Sequence, residues 1–281
     1  MRIRIAHETR YSYEQPARAV LQLLRMTPRD HEGQHVIGWR VEPSAEGRLR
    51  AGEDCYGNIC HAFEIEEPVR NLRLLVTGEV EMHDTAGVTR GAVERVPDPF
   101  YLRETALTAS DDAIRSFALE SSAGAGSDRL LQLHDLVSRI NREMTFDTNP
   151  TDSGTTAIES FGMKRGVCQD LTHLFLACSR HLGVPARYVS GYFHRADGVT
   201  EQDAGHAWAE AKVEGLGWVG FDPANGISTT DAHVRVAVGL DYLAAAPIRG
   251  SRRGGGSEKL DVTLRVDTAP ARSQSQGQTQ S

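Results

Sequence analysis

The hydrophobic pattern is clearest over residues 165–182, where it has the three-to-four spacing of a helix with one buried face. Gly183 and Pro185 follow directly and predict the end of that helix. Cys168 lies on the buried face, within the first predicted turn. The other apolar positions that define this face are Leu171, Leu174, Phe175, Cys178 and Leu182.

Strict alternation of apolar and polar residues replaces the helical pattern further along the chain. Residues 206–213 alternate and predict a strand, and a second strand follows after a turn that contains two glycines. An antiparallel hairpin of these strands brings His206 and Asp222 to the same end. Because successive side chains of a strand point to opposite faces, the two share a face only if the loop is odd in length or bulged. We therefore predict a three-residue loop near residues 214–216, with Asp222 opposite Trp208.

The rest of the pattern divides the chain into two predicted domains. Short alternating segments separated by turn residues fill residues 1–95 and predict a β-sandwich. Residues 96–268 hold the second domain, in which amphipathic helical segments precede the cysteine-bearing helix and the hairpin. Residues 269–281 are polar and small, so we expect a disordered tail there. The additional helices that we expect in the second domain cover residues 108–120, residues 128–144 and a short stretch capped by Thr156.

Cys168, His206 and Asp222 carry the candidate chemistry of this chain. The free N–H groups and the positive dipole end of a helix N-terminus favour a thiolate at Cys168, and a thiolate is the nucleophilic form. A small buried cysteine with a packing role is the alternative. A nucleophile, a histidine base and an aspartate that orients the base are the parts of an acyl-transfer triad. We therefore expect Cys168 to react with iodoacetamide well below neutral pH.

Three motifs around these residues resemble the transglutaminase-like core, namely GVCQD at 166–170, GHAWAE at 205–210 and GWVGFDPANG at 217–226. Residues 1–90, with a DCYGN turn at 54–58, and the segments 233–242 and 246–256 resemble other parts of the bacterial transglutaminase-like proteins. The resemblance extends to about residue 268. That family belongs to the papain-like cysteine protease superfamily. The resemblance thus implies an α+β fold, with a cysteine-bearing helix packed on an antiparallel sheet beside an N-terminal β-sandwich.

The expected reaction is attack of the Cys168 thiolate on an amide carbonyl, with a thioester intermediate. The backbone N–H of Cys168 is the expected oxyanion donor, and the second donor stays unassigned. Water as the acceptor gives a cysteine protease or amidase, which we favour, whereas an amine gives a transglutaminase. A non-catalytic binding protein that retains the fold is a further alternative. An acetyltransferase would need a coenzyme A site, and the sequence reveals none.

Composition and the absence of long apolar runs in the sequence indicate which classes of partner and which compartment to expect. The 281 residues carry a net charge of −7, which argues against a general nucleic-acid binder. We see no signal peptide and no apolar run long enough to span a membrane. Four cysteines in a chain of this length suggest free thiols in the cytoplasm. We expect a peptide or protein substrate, no metal and no cofactor, and the sequence leaves the oligomeric state open.

Overall fold

The computed structural model of the protein describes residues 1–149 and 151–268. The predicted disordered tail at 269–281 lies outside these described residues. Within them, two large antiparallel sheets, a short parallel pair of strands and a group of helices form the α+β fold that the sequence predicted. None of the described helices is both long and apolar enough to cross a lipid bilayer.

Along the described residues, six strands come first, four helices with two short strands between them follow, and the remaining strands come after the fourth of these helices. The strands are β1 (Arg2–Thr27), β2 (Gln34–Pro43), β3 (Arg48–Glu53), β4 (Ile59–Ile65), β5 (Val69–Met82), β6 (Val88–Thr89), β7 (Thr145–Phe146), β8 (Arg165–Gly166), β9 (Ala186–Phe193), β10 (Glu201–Gln202), β11 (His206–Val213), β12 (Gly217–Asp222), β13 (Ile227–Ser228), β14 (His233–Gly239), β15 (Ile248–Gly254) and β16 (Glu258–Thr268). The helices are α1 (Asp112–Ser122), α2 (Arg129–Glu143), α3 (Ala157–Met163), α4 (Cys168–His181) and α5 (Tyr242–Ala245), with 3₁₀ turns at Asp98–Leu102 and Ala123–Ala125.

The N-terminal sheet is organised by β1, a single strand of 26 residues. Its first part pairs with β5 and β16, and its second part pairs with β4 and β15. The pairing with β5 shifts between Ser12 and Ala17, and Pro16, which cannot donate to the ladder, lies in that interval. Side chains from both parts of β1 and from its partner strands form one buried cluster, which includes Tyr11, Tyr13, Leu24, Phe63 and Leu74.

The chain returns to this sheet at its end, which differs from the predicted division at residue 95. Strands β15 and β16 both pair with β1, so residues 248–268 complete the N-terminal sheet rather than the second domain. Strand β6 lies on the N-terminal side of the predicted boundary, yet it pairs with β12 in the other sheet. Strand pairing between distant segments decided both assignments, and local periodicity does not report such pairing.

The second sheet has the strand order β13-β12-β11-β9-β14, and α4 packs against it. The face of β11 that meets α4 carries the three alanines Ala207, Ala209 and Ala211. Their small side chains allow the helix to approach the strand closely. Helices α1, α2 and α3 contact α4 in turn, so every residue of α4 from Gln169 to Arg180 is buried. This burial fixes the position of the helix N-terminus.

Candidate active site

The N-terminus of α4 is built to present Cys168. The helix begins at Cys168, three residues later than its pattern predicted, and Val167 is its N-cap residue. The carboxylate of Asp170 accepts a hydrogen bond of 2.8 Å from the Val167 N–H, which gives this aspartate a capping role at the helix N-terminus. A side chain on Gly166 would lie 2.6 Å from Asp170, so this position requires glycine. The Cys168 thiol is partly buried at the end of the helix.

The hairpin of β11 and β12 has the predicted geometry. Val213 pairs with Gly217, so a three-residue loop of residues 214–216 joins the strands. Gly215 and Gly217 have φ values of 78° and 96°, in the left-handed region that glycine adopts without strain. The prediction of an odd loop is therefore confirmed.

His206 and Asp222 meet at the open end of this hairpin. The Nε2 of His206 lies 2.7 Å from Oδ2 of Asp222. Burial by itself would lower the pKa of His206, but the Asp222 carboxylate, together with Cys168, raises that pKa to about 10. Burial would likewise raise the pKa of Asp222, but His206 and His233 hold it well below its usual range. The site thus favours a charged imidazolium beside a carboxylate, with the thiol of Cys168 next to the imidazole.

Asp222 accepts hydrogen bonds on both carboxylate oxygens. Its Oδ1 accepts from the backbone N–H groups of Ala224 and Asn225, at 3.0 and 3.2 Å. Its Oδ2 accepts from His206, from the side-chain amide of Asn225 at 2.6 Å, and from Nε2 of His233 at 3.1 Å. Five donors therefore stabilise the ionised form of a carboxylate that is fully buried.

Sequence reasoning missed His233 and Asn225 as members of this group. Asn225 lies within the motif at 217–226, so that motif was a usable signal. His233 lies at the start of β14, on the far side of β9 and β11 from β12, and nothing in its local pattern points to Asp222. Only the bending of the sheet brings its ring to the carboxylate.

The same three side chains raise the question of a metal site. His206, Asp222 and His233 place one potential ligand atom each within 4.8 Å of one another. However, Nδ1 of His233 accepts a hydrogen bond of 3.0 Å from the Thr230 N–H, which puts the ring proton on Nε2. In that tautomer Nε2 donates to Asp222 and has no lone pair to offer a cation. The donor set therefore fits a hydrogen-bonded network better than a metal centre.

The family of the chain follows from comparison with known proteins. Residues 3–81 match the bacterial transglutaminase-like N-terminal region, and residues 115–223 match the transglutaminase-like superfamily model. An uncharacterized protein of Mycobacterium leprae is 31% identical over 279 residues, covering 94% of this chain and 98% of the relative. The chain belongs to the transglutaminase-like superfamily.

Two further comparisons place this superfamily member among its relatives. An uncharacterized protein of Mycobacterium tuberculosis is 28% identical over 294 residues, covering 96% of this chain and 93% of the relative. A solved structure from Cytophaga hutchinsonii, provisionally assigned as a cysteine protease, matches with a TM-score of 0.77 at 19% identity. It covers 96% of this chain and 91% of its own chain, and at this identity the likeness shows the fold.

The four thiols should differ sharply in reactivity. All four cysteines are free, and we expect Cys168 alone to react with iodoacetamide near pH 5, because the helix N-terminus and the His206 imidazolium both favour its thiolate. Burial raises the pKa of Cys178, and burial together with Asp54 raises that of Cys60 to about 11. Cys55 is exposed and serves as the accessible reference thiol. Mass spectrometry of each cysteine from about pH 5 to pH 9 measures this.

The matched variant for this measurement is His206→Ala. It should remove the low-pH reaction of Cys168 and leave the reaction of Cys55 unchanged. A Cys168 thiol that reacts in parallel with Cys55 over the whole pH range would contradict the expectation and favour the non-catalytic reading.

Proposed function

We propose that the protein catalyses thiol-dependent acyl transfer at peptide or isopeptide amide bonds, with Cys168 as nucleophile, His206 as base and Asp222 as orienting group. The single observation that carries this proposal is the His206–Asp222 pair at 2.7 Å, whose imidazole contacts the thiol at the N-terminus of α4. A packing role for Cys168 would not require a buried carboxylate aligned with the histidine beside it. Membership of the transglutaminase-like superfamily supports the same reading.

The geometry suggests the order of proton transfers. Because Nε2 of His206 faces Asp222, the other ring nitrogen, Nδ1, is the one available to Cys168. His206 holds the thiol proton as an imidazolium, and the Cys168 thiolate of this ion pair attacks the amide carbonyl. The imidazolium then protonates the leaving amine, which leaves a thioester on Cys168. Asp222 remains ionised throughout and stabilises the imidazolium.

The developing oxyanion has a donor at the start of the helix. The N–H of Asp170 and that of Leu171 both bond to the Val167 carbonyl, and the N–H of Val167 bonds to the Asp170 side chain. The N–H groups of Cys168 and Gln169 lie in the first turn and have no acceptor within the helix. We assign the Cys168 N–H to the oxyanion and leave the second donor open.

We propose that water attacks the thioester, so that the reaction is hydrolysis. The side chain of His206 is 13% exposed, so water can reach the base that must activate it for deacylation. Transfer to an amine requires the same thioester and the same base, and differs only in the group that attacks.

A fluorogenic peptide library incubated with the full chain, with and without an added alkylamine, tests the proposal. We expect cleavage that the amine does not alter, and complete loss of cleavage in Cys168→Ala. Incorporation of the amine into the peptide would replace hydrolysis by transfer as the activity. Cleavage that persists in Cys168→Ala would overturn the assigned nucleophile.

A further inference from the structure

His233 is held as a neutral hydrogen-bond donor to Asp222. Its ring is 4% exposed and packs against Phe193 and Trp208, at centroid distances of 4.6 and 5.3 Å. The Thr230 N–H occupies Nδ1, so the proton on Nε2 points at Asp222. Burial lowers the pKa of His233 even though Asp222 opposes that shift. The side chain therefore donates one hydrogen bond and adds no charge to the site.

Strand β14, which begins with His233, is held by two side-chain amides from the N-terminal sheet and its loops. The side chain of Gln34 donates 2.9 Å to the Arg235 carbonyl and accepts 2.8 Å from the Arg235 N–H. Asn58 does the same at Val238, with both distances 2.8 Å. Because β14 is the last strand of its sheet, these two amides, the amide clamps, satisfy edge groups that would otherwise lack a strand partner.

The orientation of each amide is fixed by a further contact. The amide nitrogen of Asn58 also donates to Asp54 at 2.9 Å, and Arg25 binds the same Asp54 oxygen at 2.8 Å. The amide nitrogen of Gln34 also donates 2.8 Å to the Arg29 carbonyl. Each amide makes three hydrogen bonds, and exchange of its nitrogen and oxygen by rotation would lose all three. The DCYGN turn at 54–58 thus supplies one of the amide clamps.

We propose that His233 is a positioning residue that holds Asp222 against His206, and that the N-terminal sheet sets its place through the amide clamps on β14. This inference rests on the proposed function, because it concerns the same triad. Asp222 and His206 are the ionisable groups that act most strongly on the His233 ring, and Cys168 lies beyond them. The cavity that His233 lines is also lined by His31, His83, Glu210 and Arg235. His233 acts on the thiol only through Asp222 and His206.

The first test is the pair His233→Phe and His233→Gln, each compared with wild type. Phenylalanine keeps the packing of the ring but removes the donor, whereas glutamine restores a donor. We expect His233→Phe to lower kcat about 10- to 100-fold with little change in KM, as for loss of one hydrogen bond to a charged group. His233→Gln should recover most of that loss.

The pH dependence of Cys168 alkylation provides a second measurement. Its acid limb is the low-pH range over which the alkylation rate rises with pH, and a change in packing alone would not shift that range. Without the His233 donor, Asp222 keeps its other four donors, and its charge is shared among fewer of them. The unshared charge of Asp222 then offsets more of the imidazolium charge, so the imidazolium stabilises the thiolate less. This effect moves the acid limb of His233→Phe to higher pH, and His233→Gln should move it back.

His7→Phe is the matched control, since His7 is also a buried histidine, 5% exposed, with a hydrogen bond to Tyr192. It should leave the acid limb unchanged. Gln34→Met removes one amide clamp and keeps the side-chain length, so it should move the acid limb in the same direction as His233→Phe, by less. An unchanged limb in Gln34→Met would overturn the role of the N-terminal sheet.

The outcomes separate this inference from the proposed function. If wild-type Cys168 shows no reaction at low pH and no peptide is cleaved, the proposed function fails and takes the inference with it. If the wild type behaves as expected but His233→Phe matches His7→Phe in both kcat and acid limb, His233 has no positioning role and the triad stands without it.

Discussion

Asp222→Asn should lower peptide cleavage by roughly 10⁴-fold, as loss of the orienting carboxylate does in serine triads. An asparagine that turns its amide nitrogen toward His206 would force the imidazole to accept there. The ring proton would then move to the nitrogen that faces Cys168, where a base needs a lone pair. The thiol would lose its proton acceptor, and an ion pair between Cys168 and His206 could no longer form in the active geometry.

The hydrogen-bond pattern explains why asparagine cannot escape this conflict. Oδ2 of Asp222 faces donors from His206, His233 and Asn225, whereas Oδ1 faces two backbone N–H groups. An amide nitrogen at Oδ1 would face two backbone N–H groups, which cannot become acceptors. At Oδ2 it faces His206, whose imidazole can change tautomer, so the amide nitrogen takes that position and still meets the donors of His233 and Asn225. We therefore also expect a loss of stability of about 1–3 kcal/mol from the unsatisfied groups, with the fold retained.

The measurement is kcat on a cleaved peptide, together with urea unfolding of the same samples. Asp111→Asn is the matched control, because Asp111 is the N-cap of α1 and asparagine caps a helix equally well. It should retain activity and stability. Near-normal turnover in Asp222→Asn would remove Asp222 from the role of orienting group.

Glu210→Gln should destabilise the protein by about 3–5 kcal/mol, the range for breaking a buried ion pair. Glu210 is 1% exposed and accepts hydrogen bonds from Arg187 at 2.6 Å and from Arg235 at 2.8 Å. Arg187 is fully buried, with its guanidinium 4.0 Å from the centre of the Trp218 ring. A neutral glutamine would leave much of its positive charge uncompensated away from water.

The destabilisation caused by Glu210→Gln should depend on pH in a defined direction. Burial would raise the pKa of Glu210, but Arg235 and Arg187 outweigh it and hold the pKa far below its ordinary value of 4.5. A depressed pKa means that the carboxylate contributes stability above pH 4.5 and loses it as the pH falls further. The difference between wild type and Glu210→Gln should therefore be largest above pH 4.5 and shrink in acid.

Urea unfolding from about pH 3 to pH 7 measures this difference, with Glu94→Gln as the control. Glu94 binds the other side of Arg187 at 2.7 Å, but it is 38% exposed. Its loss should cost about 1 kcal/mol or less, as for an exposed ion pair. Equal decreases in the free energy of unfolding of the two variants would show that Glu210 stabilises the protein no more than the exposed Glu94 does.

The sequence by itself determined the parts of the site whose geometry is local. The helical spacing placed Cys168 in the first turn of the helix, because the position of a residue on a helix follows from its neighbours within two turns. The structure moves the start of α4 to Cys168 itself. Side-chain alternation together with the glycines of the turn required the three-residue loop that joins β11 and β12. These rules involve residues close in the chain, so no knowledge of the fold was needed.

The tertiary structure alone decided the parts that depend on distant segments. The return of β15 and β16 to the N-terminal sheet, the contact of His233 with Asp222, and the amide clamps of Gln34 and Asn58 join segments far apart in sequence. Hydrogen bonds of this kind do not produce a periodic pattern in the sequence, because a buried donor needs only one acceptor. The fold supplies that acceptor from a distant segment. The chain thus specified its candidate nucleophile locally, while the surroundings of Asp222 were set by the packing of the two sheets.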